Sequence, residues 1–359
     1  MPALISSLTP EISASTRSMV VTASRALMSF DSSVGHRLHA FGPLLLRSEA
    51  ASSLQIEHLT ASARSVLSAE LGGRGSRNSD QVVANTHAMR TALELAGNLT
   101  ADAVLAMHAA LMQQQPRHRP GQWRDEPVWI GTRSDSPIGA EFVAPPCTAV
   151  PELVDDVLVF AARDDIDPLT KLAVAHAQFE TIHPFTDGNG RVGRALAQAM
   201  LRADRITQSV AVPVSAGLLA DVEGYHRALT AYRRGELDPI VAAFAHAAVR
   251  AVANAQQLID EIERVRESWS TRFTARRSSN AWRLLDLLAE RPVVTAAMAA
   301  EAVGVATPNI YPPLRALTEA GILQSKHEHK LGDSLWRADE ILVALDRFAE
   351  RAGRRSAAT

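Results

Sequence analysis

The stretch from His176 to Ala203, HAQFETIHPFTDGNGRVGRALAQAMLRA, constrains this chain more than any other. Leu169, Leu172, His176 and Phe179 recur at helical spacing and predict a helix that buries one face and ends near Ile182. Pro184 disfavours continued helix at His183, which therefore opens a loop. Thr186-Asp187-Gly188-Asn189-Gly190 reads as a tight polar turn in which Gly188 and Gly190 can take positive φ. Val192, Leu196 and Met200 then form one stripe of a second helix. The order is helix, glycine-rich loop, helix, and the backbone N–H groups at the start of the second helix form an anion cradle.

The side chains around that cradle suit a polyphosphate. Arg191 and Arg194 lie in the first turn of the second helix, where positive charge opposes the helix dipole. Two guanidiniums there make sense facing bound phosphates. Asp187 offers a hard oxygen suited to Mg2+, which needs few carboxylates when phosphates supply the other ligands. His183 can accept a proton from an attacking hydroxyl near neutral pH. A base, a metal ligand, an anion cradle and two arginines are the inventory for transfer of a phosphate-containing group.

The run HPFTDGNGRVGR, residues 183–194, resembles the signature of the Fic family, His-x-Phe-x-Asp/Glu-Gly-Asn-Gly-Arg-x-x-Arg, at every fixed position. The surroundings of Asn85, the W-R-x-x-x-V-x-I pattern at Trp123–Ile130 and the EFVAPP run at 141–146 resemble the same family's helices and flap, over roughly residues 40–245. The resemblance implies a mainly α fold: a Fic-type helical core with a small β-hairpin flap. It implies transfer of AMP from ATP to a Ser, Thr or Tyr hydroxyl of a target protein, or of the enzyme itself, with release of pyrophosphate. By matching position, His183 is the implied base, Asp187 holds Mg2+, Gly188, Asn189 and Gly190 cradle phosphates, and Arg191 helps hold them. Arg194 would contact the terminal phosphate, Phe185 anchor the loop, and the flap at about 128–134 hold the target by strand addition.

Upstream, Ser53-Leu54-Gln55-Ile56-Glu57-His58 resembles the family's inhibitory motif, Ser/Thr-x-x-x-Glu-Gly/Asn, with His58 where Gly or Asn is usual. The resemblance implies that Glu57 pairs with Arg194 and blocks the terminal phosphate within the same chain. Tyr225, in Glu223–Leu229, resembles the segment that borders the adenine; packing between helices is its alternative. AMP removal, transfer of another phosphate-containing group, and a DNA-binding regulator that only senses nucleotide are the alternative functions.

Outside the core, residues 1–48 read as partly irregular, and a helical pattern from about Leu44 to Leu71 stops at Gly72-Gly73-Arg74-Gly75. Pro239 starts a long helix toward Ser268, followed by a polar, basic linker at Thr271–Asn280. Beyond it, two short helices around Gly304, then Ile322-Leu323 and Leu335-Trp336 as arms of a wing, resemble a winged helix-turn-helix. Pro312 and Pro313 are awkward inside its second helix unless they occupy the first turn. Lys326, His327, His329 and Lys330 cluster on the wing, yet residues 279–359 carry ten basic and ten acidic side chains, so DNA and protein docking both stay open.

The expected division is 1–90 for an N-terminal region with the inhibitory motif, 91–245 for the Fic core, 246–280 for a connecting helix and linker, and 281–352 for the winged-helix-like domain. A formal net charge of −2 argues against a surface built wholly for nucleic acid or anionic membrane. The single cysteine, Cys147, excludes an internal disulfide and fits a reducing, cytoplasmic setting. No run of 18 apolar residues predicts a membrane span. A homodimer is left open.

Overall fold

The computed structural model describes residues 1–35, 38–130, 136–274, 276, 279–328 and 333–353. Fifteen α-helices and five short strands occupy these residues. In chain order the first helices are α1 (Ala14–Gly35), α2 (Leu38–Ile56), α3 (Ala63–Glu70), α4 (Arg77–Glu94) and α5 (Ala101–Met112). Strands β1 (Trp129–Ile130) and β2 (Phe142–Val143) follow, then α6 (Val150–Ala161), α7 (Pro168–Ile182), α8 (Asn189–Ala203), α9 (Val214–Leu219) and α10 (Val222–Arg233). The long α11 (Asp238–Arg272) leads to α12 (Asn280–Glu290), β3 (Val293–Thr295), α13 (Ala296–Val303) and α14 (Tyr311–Glu319). Strands β4 (Gln324–Glu328) and β5 (Asp333–Arg337) and helix α15 (Asp339–Gly353) complete the order.

Helix α7 is buried along its whole circumference, from Leu169 to Ile182, because α6, α8, α10 and α11 surround it. Its start is fixed by Asp167, whose carboxylate accepts from the N–H groups of Leu169 and Thr170. Lys171, inside that helix, is tolerated only because its ammonium donates to Asp204 Oδ1 at 2.8 Å and to the Arg163 carbonyl. One apolar core runs without a break from Ile5 to Ala352.

The N-terminal 48 residues are more ordered than their composition suggests. Helix α1 packs along α11, and buried Asp31 accepts from the N–H groups of Gln208, Ser209 and Val210. The single helix expected at 44–71 is two, because the chain turns at His58 in a left-handed conformation, φ +61°. The expected boundary at 245 falls inside α11, which is continuous and belongs to the core on one side and to the C-terminal unit on the other. Strands β1 and β2 pair antiparallel, Trp129 opposite Val143 and Ile130 opposite Phe142; residues 131–134 of the expected flap lie outside the described residues.

In the C-terminal unit, Thr295 caps α13 through Met298 N–H, and Gly304 ends it at φ +78°. Pro312 and Pro313 sit in the first turn of α14, where a missing N–H costs nothing. Strands β3, β5 and β4 form an antiparallel sheet in that order. The first wing arm is β4, which begins at Gln324, just past the expected Ile322-Leu323, the second is β5, which contains the expected Leu335-Trp336, and His329 and Lys330 fall outside the described residues. No helix among the described residues is long and apolar enough to cross a membrane.

Candidate active site

His183 terminates α7 in the left-handed region, φ +51° and ψ 62°, with its N–H returned to the Phe179 carbonyl at 3.0 Å. Such a conformation costs an L-residue about 1–2 kcal/mol, and it turns the chain sharply into the loop. Nδ1 of His183 lies 3.3 Å from the Glu180 carbonyl. With Nδ1–H donating there, Nε2 keeps its lone pair. Burial lowers the imidazole pKa to about 4, with Arg233 and Arg124 acting the same way, so the ring is neutral at pH 7.

Phe185 is fully buried, stacked on His108 at 3.7 Å and against Trp123 at 5.2 Å. The Asn189 side chain closes the loop beneath it: Oδ1 accepts from Phe185 N–H and Nδ2 donates to the Phe185 carbonyl, both at 2.8 Å. Asn189 is therefore turned inward, and only its backbone N–H can serve the cradle. Gly188 stands at φ +80°, and a Cβ there would come within 2.5 Å of Met112 and 2.8 Å of Leu111. Conformation and packing both exclude a side chain at that position. No side chain caps α8, so its first N–H groups face the loop.

Two arginines rise from the first two turns of α8, and each side chain is only 4% exposed. Arg194 donates through Nε to Ser53 Oγ at 2.7 Å and through Nη2 to Ser53 O and Glu57 Oε1 at 2.9 and 2.8 Å. Arg191 Nε lies 2.9 Å from Glu57 Oε2, and its Nη2 donates to Asp187 Oδ1 at 2.8 Å. The Glu57 carboxylate thus bridges both arginines at the mouth of an uncapped helix, seated against Gly190. Its left-handed neighbour His58 shows why Gly or Asn is usual there: the residue ends α2 as a left-handed cap.

Among the described residues Asp187 Oδ2 accepts no hydrogen bond and lies 3.7 Å from His118 Nε2, while Oδ1 is held by Arg191 and Gly188 N–H. One accessible carboxylate oxygen beside an anion site fits Mg2+ arriving with phosphates. No cluster of three or more His, Cys, Asp or Glu among the described residues could hold a metal by itself.

Residues 98–201 match the Fic/DOC family model. The chain carries a Fic/DOC domain. Within it, 88 residues are 41% identical to a probable protein adenylyltransferase of Aquifex aeolicus, covering 22% of this chain and 28% of that one. Protein adenylyltransferase fic-1 of Caenorhabditis elegans is 28% identical over 103 residues, 29% of this chain and 19% of that one. The chain therefore spans less than a third of the length of these relatives. The crystal structure of a Fic family protein from Desulfovibrio desulfuricans G20 shares the fold at TM-score 0.57 and 22% identity, over 92% of this chain and 97% of that one.

The Fic/DOC domain brings His183, Asp187, Gly188, Asn189, Gly190, Arg191 and Arg194 together with Ser53 of α2 and Glu57 just past its end. Tyr225 reaches the group from the core. It is 3% exposed, and its hydroxyl sits 2.7 Å from His176 Nε2. Such burial fits packing between helices. Burial raises the Tyr225 pKa, so the hydroxyl stays protonated. Arg124 was legible only as part of a pattern. Its buried guanidinium donates to the carbonyls of His183 at 2.8 Å, Pro145 at 2.6 Å and Glu126 at 3.1 Å, tying the loop to the flap.

Proposed function

We propose that the chain is a protein adenylyltransferase that moves AMP from ATP to a Ser, Thr or Tyr hydroxyl and is restrained by its own Glu57. The observation that carries this reading is the Glu57 carboxylate, an anion held by Arg191 and Arg194 where a polyphosphate would sit. The names of the Aquifex and Caenorhabditis relatives support the reaction class.

His183 Nε2 takes the proton of the target hydroxyl as its oxygen bonds to the α-phosphorus. The bond from that phosphorus to the bridging oxygen breaks, and pyrophosphate leaves with the electron pair. Arg194 and Arg191, freed from Glu57, would hold the phosphates, and backbone N–H groups at the start of α8 would stabilise the charge that develops. Mg2+ on Asp187 would neutralise phosphate charge when bound. Strands β1 and β2 present Ile130 and Val143, 42% and 52% exposed, for an extended target segment to pair beside.

Mass spectrometry after incubation with ATP and Mg2+ tests the reading. An AMP adduct is expected, on the chain itself or on captured protein, increased in Glu57→Gly and absent in His183→Ala. No adduct in Glu57→Gly would overturn it. For the C-terminal unit, DNA binding is the secondary proposal, carried by α14 with Arg315 exposed; Glu319 on the same helix and the balanced charge weigh against it. Absence of salt-sensitive binding to duplex DNA would remove it.

A further inference from the structure

Beneath Arg194 lies a second carboxyl that the reaction above does not use. Glu180 of α7 is 7% exposed, and its Oε1 has no hydrogen-bond partner. One helical turn earlier, His176 is 2% exposed and its Nδ1 is likewise unpartnered. Both atoms face Gly193 of α8, where a Cβ would lie 3.1 Å from Glu180 Oε1 and 3.2 Å from His176 Nδ1. Gly190, one turn away on the same helix, plays the matching part for Glu57 Oε1 and Arg194 Nη1, at 3.1 and 2.8 Å. Gly190 and Gly193 thus open a groove along α8 that stacks Glu57, Arg194, Glu180 and His176, with Tyr225 closing it through His176 Nε2.

A guanidinium this buried needs a counter-charge. In the restrained state Glu57 supplies it. Nucleotide can enter only when Glu57 leaves, and Glu57 is free to do so, its side chain being 30% exposed against 4% for Arg194. We propose that Glu180 is a positioning residue for Arg194: when Glu57 departs, Glu180 ionises, releases its proton to solvent through the vacated path, and becomes the counter-charge that keeps Arg194 aimed at the phosphates. The inference rests on the nucleotide-binding part of the reading above.

The groups facing Glu180 are Glu57 from the end of α2, Arg194 from α8, Arg233 and Tyr225 from α10, and His176 on its own helix. With Glu57 in place, burial raises the Glu180 pKa to about 7; Arg194 and Arg233 oppose the rise, and Glu57 adds to it. Removing Glu57 takes away the repulsion and leaves the attraction, so the pKa of Glu180 falls in the released state. Release then expels a proton. It becomes easier as pH rises toward about 7 and levels off above that value.

The test is calorimetric binding of a non-hydrolysable ATP analogue with Mg2+, between about pH 5.5 and about pH 8. The ratio of the dissociation constant of the wild type to that of Glu57→Gly reports restraint, and the nucleotide's own titration cancels in it. The ratio is expected to fall up to about tenfold for each unit the Glu180 pKa drops on release, then to flatten above about pH 7. With Glu180→Gln in both proteins, isosteric with the neutral acid and checked by an unchanged melting temperature, the ratio is expected to be independent of pH. A flat ratio in the wild type, or the same slope with Glu180→Gln, would overturn the proposal. Failure of Glu57→Gly to bind the analogue would overturn both this and the nucleotide reading. Binding with the expected slope but without AMP adduct would support the charge exchange and remove only the transfer reaction.

Discussion

At Glu57 a partly exposed carboxylate compensates two guanidiniums that have almost no access to water. Glu57→Gly should therefore cost about 2–4 kcal/mol in the absence of nucleotide, since it leaves buried positive charge behind. Added ATP and Mg2+ should recover most of that loss, seen as a larger rise in melting temperature than the wild type shows. Next to it, His58 holds φ +61°. His58→Gly removes the left-handed penalty while giving the unfolded chain more freedom, for a net gain of about 0.5–1 kcal/mol in urea unfolding. Gly188→Ala goes the other way. A φ of +80° and an approach of 2.5 Å to Met112 should cost about 3 kcal/mol, read from the same unfolding curves. The residues of the site were legible in sequence to different degrees. Gly188 and Glu57 stood in motifs, whereas Glu180 gave no signal: an acidic residue on a helix has the same letter whether it faces solvent or an arginine. His183 and Pro184 announced the end of α7, but only the structure shows that His183 itself takes the left-handed turn.

Among elements, α7, the loop and α8 were legible because a proline, two glycines and an apolar stripe each left a local mark. Helix α1 and the start of α2 were not. The order of α1 comes from packing on α11 and from Asp31 capping the segment at 208–210, and that of α2 from packing on α4 and α9, partners distant in sequence. Arg124 belongs to the same class, since its value lies in the carbonyls it collects from three separate segments. Arg124→Met should leave those carbonyls unpaired and cost about 3 kcal/mol. The loss should appear in chemical unfolding, and limited proteolysis should find the chain near Pro145 cut faster. A lysine cannot restore it, because one ammonium lacks the fan of donors that reaches all three.

For the whole molecule, the helix that bears Glu57 is held from outside the Fic/DOC domain. Helix α15 packs against α2, α3 and α9 and is fastened to α11, where Arg351 donates to Asn254 Oδ1 and Glu261 Oε1, both at 2.8 Å. Its Asp346 accepts from Ala63 N–H at 2.7 Å, which fixes the start of α3 and so closes the turn that follows Glu57. Leu67 of α3 packs with Val293, Leu335 and Leu342 of the C-terminal unit. Near the other end of α15, a Cβ on Gly353 would come within 2.8 Å of Gln55, two residues before Glu57. Restraint is therefore a property of the full chain, because α2 can carry Glu57 away from Arg194 only by disturbing these contacts. Asp346→Ala removes a charge-assisted hydrogen bond worth about 1–2 kcal/mol at a partly buried site. Part of that loss falls on the restrained state, so labelled AMP incorporation should rise several-fold over the wild type. In the Glu57→Gly background the same substitution should change incorporation little, since no restraint is left to weaken. An equal rise in both backgrounds would mean that Asp346 acts on the catalytic loop rather than through the seating of Glu57.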